Sequence, residues 1–307
     1  MNIALELENL AKTYKIGWRR TERKAVENIS LAVPSGTVFG LLGPNGAGKT
    51  TTIKIAIGFL RPDSGRISIF GQANSRKARS RIGFLPEQPY FYPHLTAEKA
   101  LDFYARLFNM RKTERNERVK LLLDTVGLSD AAKLPLNKFS KGMLQRFGIA
   151  QSLVNDPDLL IVDEPASGLD PIGQIEMRKI LTALNAEGKS ILLSSHYLSE
   201  VENLCHEVAI INKGAVIARG KIEKLLDAGD SYAITASSLP MGWQPFTLPA
   251  NVEHVNGLVR VVVDRNHLDG VIENIRSSGG FIEGVQRTTK TLEQLYIEII
   301  GGDIHGN

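Results

Sequence analysis

The stretch 38–53, VFGLLGPNGAGKTTTI, constrains this chain more than any other. Residues 38–42 read as a buried strand, the run breaks at Gly43, and Lys49 with the threonines behind it opens a helical pattern. Strand, glycine-rich loop and helix, in that order, are the setting in which G-x-x-x-x-G-K-[ST] binds phosphate. Gly43, Gly46 and Gly48 let the backbone turn tightly and aim its N–H groups inward, with Pro44, Asn45 and Ala47 between them. The helix start adds unpaired N–H groups and the positive end of a dipole. Lys49 supplies a point charge for the β- and γ-phosphates, and the Thr50 hydroxyl can ligate Mg²⁺.

At 307 residues about two domains are expected. A hydrophobic fraction of 43% and a charged fraction of 23% are those of an ordinary soluble globular chain. The net charge of +4 neither demands nucleic acid nor excludes an anionic membrane surface. One cysteine, Cys205, rules out an internal disulfide framework and fits a reducing compartment. The start, MNIALELENL, is no signal peptide, and no apolar run approaches the ~18 residues of a membrane span. Any action at a membrane then goes through a partner.

Along the chain, 2–10 alternates as a strand with one wet side, and Tyr14 follows in a Lys-Thr-Tyr-Lys segment. A basic loop or hairpin is expected at 17–24 and a second strand at 25–33. Behind the phosphate loop come a helix to about Phe59, a turn, and a strand at 66–70. The basic run 75–81 is read mainly as a solvated face, with phosphate or lipid contact as the other reading. A short strand at 82–85 meets Pro86-Glu87-Gln88-Pro89, a loop. Helical patterns at 96–110 and 114–126 form an α-rich insertion, and FSKGMLQR at 139–146 enters a helix reaching about Val154. Strands follow at 158–163 and 190–194 with a helix between them, then a hairpin turning at Lys213-Gly214. The tail has strands at 231–236, 258–263 and 281–286 and helices at 266–277 and 291–300, a small α+β appendage without a phosphate motif.

Asp163 closes the apolar run Leu159, Leu160, Ile161 and Val162, which puts a carboxylate at the edge of a parallel sheet where nucleotide-bound Mg²⁺ would sit. Glu164 points differently and is free to orient or deprotonate an attacking water. A hydrolase needs this second carboxylate. His196, at the end of the next strand, lies on the same edge and is placed to sense the γ-phosphate.

Together these motifs resemble the nucleotide-binding subunit of an ATP-binding-cassette (ABC) transporter over residues 3–228, and weakly into the tail. Gly43 to Thr51 matches that family's phosphate loop, 159–164 its carboxylate strand, Ser167 to Asp170 its D-loop and His196 its switch histidine. Tyr14 sits where the family stacks an aromatic ring on adenine. The signature LSGGQ reads Phe139-Ser140-Lys141-Gly142-Met143 here, keeping the γ-phosphate contacts Ser140 and Gly142. The Q-loop position is held by Glu87 in alignment and by Gln88 in chemistry, and either could approach Mg²⁺ and the water.

The resemblance implies an α/β phosphate-loop NTPase (RecA-like) core with an antiparallel β subdomain and a helical subdomain at about 90–155. An ATPase domain is expected at 1–228 and an accessory α+β domain at 229–307. It further implies ATP and Mg²⁺ as cofactors and a head-to-tail dimer of two copies, in which Ser140 and Gly142 of one cover the ATP of the other. The dimer would drive a separately encoded polytopic membrane permease from the cytoplasmic face, with no nucleic acid partner. The segment 291–298, TLEQLYIE, resembles one ending many drug, sodium or polysaccharide exporter subunits. The cluster Tyr90, Phe91, Tyr92 and Leu95 is either core or a docking surface. The alternative function is a soluble ABC-type ATPase acting on ribosomes or nucleic acid.

Overall fold

A computed structural model describes residues 2–16, 21–240, 242–245, 251–255 and 257–304. The chain divides into two compact units, Met1–Ile222 and Glu223–Asn307. In the first, β1 (Ile3–Ile16) and β2 (Thr21–Pro34) pair antiparallel and lead into β3 (Val38–Leu42), the phosphate loop and α1 (Lys49–Ala56). Then come β4 (Ser64–Ile69), β5 (Gln72–Ala73), α2 (Arg76–Arg79) and β6 (Ile82–Leu85). Three helices follow, α3 (Ala97–Leu107), α4 (Lys112–Thr125) and α5 (Lys141–Ser152). The unit continues through β7 (Leu159–Asp163), α6 (Pro171–Ala186), β8 (Ser190–Ser195), α7 (Leu198–Leu204), β9 (Glu207–Asn212) and β10 (Ala215–Lys221). A short helix, α8 (Ile222–Leu225), carries the chain onward.

Two sheets result, a four-stranded antiparallel one in the order β2-β1-β4-β5 and a six-stranded one in the order β10-β9-β3-β8-β7-β6. All neighbours in the second are parallel except the β9–β10 hairpin at its edge. Strands β3, β7 and β8 are buried at every position, as expected of apolar stretches in a sheet covered on both faces, with Asp163, Ser194 and Ser195 at the ends of β7 and β8. The two sheets share one core, in which Leu5, Leu7 and Ile29 meet Phe39, Leu41 and Ile53. This is the α/β core with an antiparallel β subdomain and a helical insertion that the sequence led us to expect.

Several expectations shift. The helix behind the phosphate loop stops at Ala56, not near Phe59, because Gly58 takes φ +78 and turns the chain. β1 continues through Tyr14 to Ile16. Helix α7 falls where no element was foreseen. The expected loop at 17–24 lies partly outside the described residues, and 21–24 belong to β2. In the basic run, Arg76 and Lys77 are exposed, whereas Arg81 sits 3.8 Å over the Phe70 ring and pairs with Asp158 at 2.6 Å. The aromatic cluster divides: Phe91 is buried edge-on against Phe147 at 4.9 Å, while Tyr90 is 85% exposed and Tyr92 49%.

The second unit holds β11 (Asp227–Ser237), β12 (Asn251–Val255), β13 (Leu258–Asp264), α9 (Arg265–Ser277), β14 (Phe281–Thr289) and α10 (Leu292–Ile304). Its sheet runs β12-β13-β11-β14, all antiparallel. Ile234, Val261 and Val263 pack against Val271 and Ile275 of α9. The Asp264 carboxylate caps α9 by accepting from the His267 N–H. The sequence reading missed β12.

Candidate nucleotide-binding site

The C-terminal edge of the six-stranded sheet gathers the chemistry. Register pairs Leu42 with Ser195 and Asp163 with Ser194, so the ends of β3, β8 and β7 lie side by side. Ligands in open α/β sheets sit beyond that edge. The phosphate loop is wedged there. A Cβ on Gly43 would lie 2.3 Å from the Ile211 carbonyl oxygen, and one on Gly48 2.5 Å from that of Ala25. Gly48 also caps α1 at φ +110, a conformation that side chains other than hydrogen resist. The Gly43 N–H donates to the Ser195 carbonyl at 3.4 Å, tying the loop to the end of β8.

Lys49 is only 5% exposed. Its Nζ donates to the Gly43 carbonyl at 2.6 Å and lies 3.1 Å from Glu164 Oε1. Glu164, also 5% exposed, presents its other oxygen to His196 Nδ1 at 2.6 Å and accepts from the His196 backbone N–H at 3.3 Å. Its backbone N–H donates to both the carbonyl and the hydroxyl of Ser194 at 3.1 Å. Glu164 adopts φ +52, the left-handed region that non-glycine residues enter at a cost and that clusters at functional sites. That turn swings its carboxylate away from the neighbouring Asp163, whose Oδ1 instead accepts from the Ser194 hydroxyl.

A cavity of about 450 Å³ opens over these groups. Tyr14, Pro44, Asn45, Gly46, Gly48, Lys49, Thr50, Thr51, Glu87, Glu164 and His196 line it, all singled out from sequence. Asp163 and Gln88 line a neighbouring cavity, which shares Thr50 and Glu87 with the first. Thr50, Glu87, Gln88 and Asp163, from three elements, thus line one cavity. Gly43 and Ala47 shape the loop behind the wall. Ser140, Gly142 and Asp170 are not brought to this cavity. Ser140 is exposed and caps α5, its hydroxyl accepting from the Met143 N–H at 3.2 Å. Asp170 caps α6 by accepting from the Gly173 N–H at 2.7 Å.

Four residues of the region escaped sequence reasoning. Arg23 pairs across the strands with Tyr14 and faces Gly46, where a Cβ would lie 3.4 Å from its Nη2. Tyr197 stacks on His196 with ring centroids 3.9 Å apart. Gln145 of α5 is buried and donates to the Glu87 carbonyl at 2.8 Å, fixing the Q-loop backbone. Glu200 of α7 accepts from the Ser195 hydroxyl at 2.5 Å. Only a carboxylate four residues beyond His196 was visible in advance for the last, and the sequence reading attached no role to it.

A glycine-rich anion cradle with a buried lysine, beside a carboxylate oriented by a histidine, defines a phosphate-loop nucleotide hydrolase. Comparison with known proteins narrows the class. The family model described as ABC transporter matches residues 26–167. An uncharacterised ABC transporter ATP-binding protein of Nostoc sp. is 38% identical over 296 residues, spanning 95% of this chain and 88% of its own length. The bacitracin transport ATP-binding protein of Bacillus licheniformis is 34% identical over 318 residues and the full length of both chains. Nod factor export ATP-binding protein I of Ralstonia nicotianae is 38% identical over 225 residues, covering 72% of this chain and 68% of that one. Among solved structures, a dimeric ATP-binding cassette in a post-hydrolysis state with ADP and Pi superposes with a TM-score of 0.64 at 26% identity. That match covers 71% of this chain and 98% of the cassette. The chain belongs to the ATP-binding proteins of ABC transporters. It binds and hydrolyses ATP.

Proposed function

We propose that two copies of this chain close head to tail on ATP and reopen after hydrolysis, driving export through a separately encoded membrane permease. The observation that carries the dimer is the placement of Ser140 and Gly142. They stand at the N-terminus of α5, a ready anion site, yet outside the cavity that their own phosphate loop lines. Their ligand therefore comes from another copy. The relatives named for bacitracin transport and Nod factor export support an exporter, as does the segment 291–298. Among the described residues no helix is long and apolar enough to cross a membrane, and the permease of this reading is a separate subunit. Tyr90 and Tyr92, exposed beside the Q-loop, are part of the surface that would meet it.

Within one site, Lys49 and the loop N–H groups hold the β- and γ-phosphates, Tyr14 stacks on the base, and Glu164 takes the proton of the attacking water. His196 fixes the Glu164 carboxylate through its 2.6 Å bond. The donor set suits Mg²⁺, a hard cation that takes few protein oxygens and completes its shell with phosphate and water. Thr50 and Asp163 would hold it, with Glu87 or Gln88 at its edge. Bound there, the ion would neutralise charge on the transferring phosphate.

Gly142→Asp tests the two-chain site. A Cβ at Gly142 would meet nothing nearer than Leu169 Cδ2 at 3.9 Å, and an acidic residue in a first helical turn favours folding. The expected result is an unchanged melting temperature, intact ATP binding by the monomer, and ATPase reduced at least tenfold because a carboxylate repels the other copy's γ-phosphate. Wild-type turnover would refute the two-chain site. Arg23→Ala is expected to raise KM for ATP about three- to tenfold with kcat nearly kept, the loss of one exposed charge-assisted contact. An unchanged KM would remove Arg23 from the nucleotide site.

A further inference from the structure

Glu200 is a carboxyl that the hydrolytic reading leaves unused. It lies in the first turn of α7, half-buried, and no lysine or arginine forms an ion pair with it among the described residues. Its Oε2 accepts from the Ser195 hydroxyl at 2.5 Å, and the same hydroxyl accepts from the Tyr197 N–H at 3.0 Å. Ser195 and Tyr197 flank His196. The chain from Glu200 to Ser195 to Tyr197 thus spans the turn that presents His196 to Glu164. The Ser195 carbonyl meanwhile holds the Gly43 N–H, so one residue ties this turn to the phosphate loop.

We propose that Glu200 is a positioning residue for ATP hydrolysis, holding His196 against Glu164 through the Ser195 hydroxyl, and that its anionic form is the one that assembles this turn. As an anion Glu200 can only accept, so the Ser195 proton points to it and a Ser195 lone pair stays free for the Tyr197 N–H. Once protonated, Glu200 accepts only through a neutral carbonyl oxygen, and the charge-assisted bond that holds the Ser195 hydroxyl weakens to about half its strength. The alternative acceptor for the Ser195 proton is the Tyr197 carbonyl, 3.5 Å away, at the limit of a hydrogen bond.

The groups facing Glu200 come from four elements. They are Glu164 beyond β7, His196 beyond β8, the Cys205 thiol beyond α7, and Arg178 of α6 across a cavity of about 240 Å³. Burial pushes the Glu200 carboxyl up to about 7, against the Ser195 hydrogen bond, with the Glu164 charge adding to the rise and His196 opposing it. Both forms of the turn are therefore populated near neutral pH. Because the folded value lies above the ordinary 4.5, the fold favours protonated Glu200 and loses that advantage as pH rises from about 4.5 to about 7.

The inference rests on Glu164 and His196 as the hydrolytic pair, which Glu164→Gln tests on its own. Steady-state ATPase of the full chain is measured from pH 5.5 to 9 for the wild type, E200Q, E200A and S195A. The wild type is expected to lose kcat as pH falls, with a midpoint near 7. E200Q, which mimics the protonated carboxyl and cannot ionise, should lose this limb and turn over at every pH near the rate the wild type reaches at its acid end. It should also melt above the wild type at pH 8, the gap closing as pH falls below about 4.5. E200A and S195A should lower kcat about tenfold with KM for ATP kept. A limb that persists in E200Q, a flat wild-type profile, or wild-type kcat in E200A and S195A would each overturn the proposal. If E200A fails to fold, the E200Q profile decides. Full turnover by Glu164→Gln would instead sink the hydrolytic pair, whatever E200Q does.

Discussion

Glu164→Gln is expected to leave ATP binding intact, to lower turnover by about 10² or more, and to trap a dimer that elutes early in gel filtration with ATP. The substitution keeps size and shape, so the left-handed turn at φ +52 and the two bonds from its backbone N–H to Ser194 survive. What goes is the group able to take a proton. The amide can still accept from one of Lys49 and His196, but its NH₂ end must face the other, so part of the pairing at 3.1 Å and 2.6 Å is lost. With hydrolysis stopped and both phosphate cradles filled, the closed state accumulates, because nucleotide binding drives closure and hydrolysis reopens it. A monomer that hydrolyses ATP at the wild-type rate would refute Glu164 as the base.

Lys49→Ala carries the second large effect. ATP affinity is expected to fall by at least about 10², followed by titration with a fluorescent nucleotide, since one buried cation and its charge-assisted bonds to two phosphates disappear together. The same change should lower thermal stability without nucleotide. Lys49 and Glu164 are both buried and paired at 3.1 Å, and removing one partner strands the other charge. Breaking such a pair costs about 3–5 kcal/mol, and the remaining His196 contact should hold the loss to the lower end. Unchanged affinity would show that the backbone cradle binds phosphate without its lysine.

The parallel sheet was legible because strands covered on both faces are near-continuously apolar, and 38–42, 159–162 and 191–193 are such runs. The motif residues could be placed from sequence because each sits at a strand end followed by a turn. Helix α7 was not legible. It is seven residues long and lacks a side-chain cap, so periodicity gives little signal. Strand β12 is five residues and was passed over. Arg23 was assigned to a basic loop because its position opposite Tyr14 depends on strand register, which a single sequence does not state. Gln145 gave no sign of reaching the Glu87 carbonyl, which lies far back in the chain.

By itself the sequence determined the chemistry: a phosphate cradle with its lysine, two carboxylates after an apolar strand, a histidine after the next, and a signature serine and glycine. These are local matters of backbone freedom, charge and strand ends, and a few adjacent residues suffice to write them. The tertiary structure alone decided which of them meet. The order β3-β8-β7 brings Lys49, Glu164 and His196 within hydrogen-bond reach although more than a hundred residues separate the first from the others. It leaves Ser140 and Gly142 outside that group, and it sets Glu200 behind Ser195. The reason is physical. Side-chain chemistry is a property of single residues, whereas proximity across a sheet follows from how the whole chain buries its apolar strands, and no short stretch carries that information.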